Sequence, residues 1–132
     1  MEIALSQHQG RVPVTVMQLT GDLDANTYEQ LELQARQAVA AGTADLVLDL
    51  SGVPYVSTAG IRAINNVFNL LRTDAPDESD EAIQRGLEEG TFRSPHLKLL
   101  NPTARVVDVL NMAGLDMFLE IHTDLDTALR SF

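Results

Sequence analysis

Between Leu46 and Phe68 the chain reads LVLDLSGVPYVSTAGIRAINNVF, and its hydrophobic period changes part-way. LVLDL is short and nearly all apolar, the pattern of a strand in the middle of a sheet, covered on both faces. SGVP turns the chain. Beyond Thr58 the apolar residues Ile61, Ile64, Phe68 and Leu71 recur at helical spacing and make one stripe that must pack on something. A buried strand leading directly into an amphipathic helix restricts the chain to layered α/β architectures.

The rest of the sequence repeats the rhythm. EIALSQ reads as a first strand, turned at Gln9–Gly10, and VPVTVMQLT, Val12 to Thr20, as a second rich in β-branched residues. Pro13 places the start of that second strand at an edge. A helix is expected from Thr27, where Thr27 and Gln30 have capping-box spacing, with Leu31, Ala35, Ala38 and Val39 on one face and Gly42 as the stop. LKLL at 97–100 is a further strand. Asn101-Pro102 opens another helix with proline at its first position; Val106, Val107 and Leu110 form its buried face and Gly114 ends it. MFLEI is expected as the last strand and TDLDTALRSF as a closing helix capped at Thr123 or Asp124. The expected fold is α/β, a mixed sheet of four to five strands with packed helices.

At 132 residues the expectation is one domain spanning 1–132. With no cysteine there are no disulfides, thiolate metal sites or thiol catalysis. The formal charge of −10 argues against nucleic acid and against anionic membrane surfaces, since both need a basic face. The nine basic residues include a single lysine, Lys98, and do not cluster. A protein partner with a basic patch is the natural companion. No apolar run approaches the roughly 20 residues that span a bilayer, so no membrane insertion is expected. The opening MEIALSQHQG lacks signal-peptide character, which makes the cytoplasm the expected location.

One segment breaks the rhythm. The stretch 73–95 carries seven acidic and two basic residues, half of the chain's net charge, and reads as an acidic insertion in which DEAIQRGLEE has the pattern of a short helix. Its DAPDESDE lacks the central glycine and closing glutamate of a calcium loop. There is no phosphate-binding loop, no dinucleotide fingerprint and no nucleophile elbow, and His8, His96 and His122 have no ligand-like spacing. No catalytic residue, cofactor or metal is therefore expected, and the chain is read as no enzyme.

Ser57 and Thr58 place two hydroxyls at one helix mouth. A single Ser or Thr oxygen accepts from the orphan N–H groups there and stabilises by about 1 kcal/mol. Capping accounts for one hydroxyl and is the reading of such a pair taken alone; a second reading uses the same geometry. A phosphate at that position would face unpaired N–H donors and the positive end of the helix dipole, so the fold would tolerate it, whereas a partner docked there would meet new charge and bulk. Ala59 and Gly60 keep the surface low.

LTGDLDANT, LVLDLSGVPYVSTAGIRAI and LLNPTARVVDVLNMAGL, in that order, resemble the STAS domain, the fold of bacterial anti-sigma factor antagonists. The resemblance implies a phosphoacceptor at Thr58, with Ser57 as a backup, standing where many members carry Asp. It implies a partner-binding surface of Asp24, Ser57, Ala59, Gly60, Ile61 and Arg62. Asp24 matches an acidic residue near the acceptor and is equally suited to capping the next helix. Threonine is a bulkier, β-branched acceptor, and Ser57 in place of Asp removes a negative charge beside it. The implied function is that of an anti-sigma factor antagonist. It would bind an anti-sigma factor with serine/threonine kinase activity, be released by phosphorylation at Thr58, and be reset by a phosphatase. Two alternatives keep the fold: a STAS subunit of a membrane lipid-transport ATPase complex, or a sensory-complex scaffold that is not phosphorylated.

Overall fold

A computed structural model describes residues 1–72 and 93–132. Its sheet has five strands in the spatial order of the sequence: β1 (Glu2–Gln9), β2 (Pro13–Thr20), β3 (Leu46–Gly52), β4 (Leu97–Leu100) and β5 (Glu120–His122). β1 and β2 form an antiparallel hairpin, and every later neighbour pairs in parallel. The central position expected for LVLDL is the one β3 occupies. Among the described residues the helices are α1 (Tyr28–Ala40), α2 (Thr58–Arg72), α3 (Ala104–Ala113) and α4 (Leu125–Arg130). The mixed α/β sheet with packed helices is thus present with five strands.

Alternation along the strands separates two cores. Met17, Leu19, Leu46, Leu48, Leu50, Leu97 and Leu99 point to one face and pack with Leu31 and Ala35 of α1, Ile64, Val67 and Phe68 of α2, and Val106 and Leu110 of α3. On the other face Val14, Val16, Val47 and Leu100 receive α4 through Ala128, with Leu125, Leu129 and Phe132 around it. β3 therefore has apolar side chains on both faces, which is why its sequence barely alternates. Pro13 pairs with Gln9 of β1, while the β3 pairing begins only at Thr15. The missing N–H thus falls where no β3 partner is offered.

Four local expectations are corrected. Thr27 and Gln30 form no capping box: the Thr27 hydroxyl accepts from the Asp24 N–H at 3.0 Å and donates to the Asp22 carbonyl at 2.8 Å, so it serves the loop instead. Pro102 lies outside α3, whose cap is Thr103, accepting from the Val106 N–H. The first strand runs on to Gln9. The last strand is Glu120–His122 and not MFLEI, because Leu115–Met117 is a 3₁₀ turn set off by Gly114 at φ 78°. Gly114 and Asp124 do end and cap their helices as expected. The helix expected in DEAIQRGLEE, and the acidic stretch up to residue 92, lie outside the described residues. At the return to β4, the Ser94 N–H donates to the Phe118 carbonyl at 2.7 Å, and Ser94 is buried.

Candidate functional site

The C-terminal ends of β2 and β3 deliver two loops side by side. A parallel bridge pairs Leu23 with Val56; the Leu23 N–H donates to the Tyr55 carbonyl and the Ser57 N–H to the Leu23 carbonyl, both at 2.9 Å. Leu23 and Val56 are buried, so the zipper is anchored in the core. It sets the Asp24 loop alongside the start of α2. Gly60 makes the close approach feasible: a Cβ there would lie 2.5 Å from the Leu23 carbonyl oxygen.

The two hydroxyls divide at this point. Ser57 is the N-cap of α2: its Oγ accepts from the Gly60 N–H at a long 3.4 Å, and its carbonyl accepts from the Ile61 N–H at 2.9 Å. Thr58 is the first helical residue. It is exposed, and its hydroxyl has no hydrogen-bond partner among the described residues. The N–H groups of Thr58 and Ala59 likewise find no acceptor among the described residues, as expected for a first helical turn. Among the described residues, a hydroxyl and two backbone N–H groups without partners thus share the first turn, at the positive end of a 15-residue helix.

Of the other residues singled out from the sequence, Ala59 is half-buried and Gly60 buried beneath Thr58, and Ile61 packs its side chain partly into the core. Arg62 is exposed one helical turn beyond Thr58, on the same face. Asp24 is half-buried. Its Oδ1 accepts from the Asn26 N–H at 2.9 Å, and its carbonyl accepts from the N–H groups of Thr27 and Tyr28. Asp24 therefore orders the loop that enters α1, its carboxylate bonding no helical N–H, and no hydrogen bond joins it to Ser57 or Thr58 among the described residues. The bridge nonetheless holds it on the same surface.

Sequence reasoning missed the rim. Tyr55, 40% exposed, lies under the Arg105 guanidinium at 5.9 Å, bringing the start of α3 to the site. Beyond Ile61, a groove of about 420 Å³ runs between Arg62 and Asn65 of α2 and Ala113, Leu115 and Phe118 at the end of α3. Met112 and Met117, 89% and 59% exposed, project from that same chain reversal. Tyr55 stood inside the quoted motif, but nothing local marks the α3 end as its neighbour. No cluster of metal-ligating side chains occurs among the described residues, and no described helix is long and apolar enough to cross a membrane.

A family model described as the STAS domain matches residues 4–75, more than half of the chain. The chain belongs to the STAS domain family. No curated protein sequence matches it. Among solved structures, this STAS chain is similar to an anti-sigma factor antagonist from Mycobacterium paratuberculosis, with a TM-score of 0.71 and 21% identity over 97% of this chain and 90% of that one. It is also similar to the Bacillus cell fate determinant SpoIIAA in its phosphorylated form (TM-score 0.64, 17% identity, 99% of this chain and 100% of that one). The unphosphorylated form of the anti-sigma factor antagonist SpoIIAA gives a TM-score of 0.59 at 15% identity over 96% and 93% of the two chains. At these identities the likeness is one of fold, and it extends beyond the segment that the STAS model matches.

Proposed function

We propose that this STAS chain is an anti-sigma factor antagonist acting in the cytoplasm as a phosphorylation-controlled binding module, a single domain over 1–132 with an acidic insertion at about 73–95. The observation that carries the proposal is the division of labour at the mouth of α2: Ser57 is committed to capping, while Thr58 is exposed and uncommitted. The solved anti-sigma factor antagonists of the same fold support it.

Unphosphorylated, the surface of Asp24, Ser57, Ala59, Gly60, Ile61 and Arg62 docks on an anti-sigma factor that is also a serine/threonine kinase. The kinase supplies ATP, and Thr58 Oγ1 attacks the γ-phosphorus and loses its proton as ADP leaves. The resulting group carries roughly −2 charge at neutral pH. The free N–H groups of the first turn and the helix dipole accept it without a change of backbone. Arg62, four residues on, pairs with it and is withdrawn from the partner. A dianion in a partly desolvated interface weakens docking by several kcal/mol, the size needed to move a complex from mostly bound to mostly free. A phosphatase restores the neutral hydroxyl.

The test uses the cognate kinase and ATP. The expected result is one phosphate, located at Thr58 by mass spectrometry and lost in Thr58→Ala. Thr58→Glu should fold normally and fail to bind. Tight binding of both the phosphorylated chain and Thr58→Glu would refute the switch.

A further inference from the structure

We propose that the chain pairs with a second copy of itself through the outer edge of β1, in an antiparallel two-fold register centred on Leu5. β1 is eight residues long and lies at the edge of the sheet, and no described strand covers its outer side. Proteins blunt such edges with lysine, proline, bulges or brevity. β1 has none of these: it contains no Lys, Arg or Pro, and its ladder with β2 runs from Glu2 to Gln9 without a register shift. The opposite edge is protected, since β5 has only three residues, all half-buried.

The identity of the partner comes from the side chains. In an antiparallel pair, opposed residues share a face, so a two-fold on Leu5 sets Leu5 against its own copy, Ala4 against Ser6, Ile3 against Gln7, and Glu2 against His8. Leu5 is 46% exposed, the one large apolar side chain of β1 left open, and this register covers it. Glu2 and His8 are the ionisable side chains of the strand, and the same register brings them together across the seam. In this alignment the open Leu5 is covered by its own copy and Glu2 meets His8, while Ile3, opposite Gln7, already packs into its own core. The seam joins two five-stranded sheets and places the two Thr58 ends at opposite ends of the joined sheet, giving two docking surfaces that face apart. Strand pairing alone covers less than a standard interface, so the dimer is weak and concentration-dependent. The proposal does not depend on phosphorylation.

Sedimentation velocity over a wide concentration range tests it, at moderate salt so that repulsion between two chains of charge −10 is screened. A reversible dimer is expected. Leu5→Lys, which opposes two ammonium groups at the axis, should raise its dissociation constant at least about tenfold while leaving the far-UV circular dichroism unchanged. The chain has no cysteine, so a single one reports the register directly. Opposed Cα atoms lie about 4.5–5.5 Å apart, within disulfide range. Leu5→Cys should therefore cross-link rapidly under mild oxidation, and Gln9→Cys, far out of register with its copy, should not. A monomer at every concentration, a dimer indifferent to Leu5→Lys, or equal cross-linking at both cysteines would overturn the proposal.

Discussion

A methyl group at Gly60 would press on the Leu23 carbonyl oxygen and, at 2.8 Å, on a Val56 methyl carbon, so the first turn of α2 fits its loop only without a side chain there. Overpacking against backbone costs roughly 1–3 kcal/mol, and Gly60→Ala should fall at the upper end. Ser57→Ala removes a long cap bond and should cost about 0.5–1 kcal/mol. Thr58→Ala, at an exposed residue without partners, should stay within about 0.5 kcal/mol of the parent. Urea denaturation of the three variants checks the order; a large loss at Thr58 would mean that its hydroxyl serves the fold. The sequence announced this residue pair, because a helix needs one cap and STAG offers two hydroxyls. It did not announce Tyr55 with Arg105, whose 5.9 Å approach depends on where α3 lands. Nor did it decide the work of Asp24, whose carboxylate accepts from the Asn26 N–H within its own loop.

Lys98 shows what element-level patterns conceal. LKLL reads as a strand with one polar lapse, yet Lys98 is only 2% exposed, its ammonium 2.5 Å from Glu120 of β5 and 5.4 Å from the Phe132 ring centroid beyond α4. The His122 ring meets the other Glu120 oxygen at 3.0 Å. Burial alone would raise the Glu120 carboxyl; hydrogen bonding to Lys98 and its charge, followed by the His122 ring, outweigh it and hold the group below the ordinary glutamate value. A carboxyl depressed in the folded state contributes stability above its unfolded pKa, and the contribution is lost as pH falls through the folded one. Stability measured by urea midpoints should therefore fall in acid more steeply for the parent than for Glu120→Gln, with the gap between them closing below the usual carboxylate range. The partner of Lys98 lies 22 residues on, and its short strand was misplaced in the sequence expectation. The apolar run MFLEI is fully buried only at Leu119, and hydrogen bonding to β4 decides which three residues are strand. The stripe of α2 was easier to foresee, since six of its residues are buried and they follow helical spacing.

For the whole molecule, alternating periods sufficed to give α/β layers and a central β3, while the placement of α4 on the second face required the structure. The chain carries a charge of −10, half of it in the stretch 73–95, and its proposed partner presents a basic surface. Association should therefore be steered, and the rate constant for docking, followed by stopped flow, should fall as salt rises while dissociation changes little. A rate insensitive to salt would show that the partner's docking face is not basic. The zipper between Leu23 and Val56 carries a last consequence. Because both loops are already tied to the core, a phosphate placed on Thr58 by the proposed switch would require no rearrangement of the backbone around it. A switch built this way would keep no memory of its own, and any delay or persistence in the signal would have to be kept by the enzymes proposed to mark and unmark it.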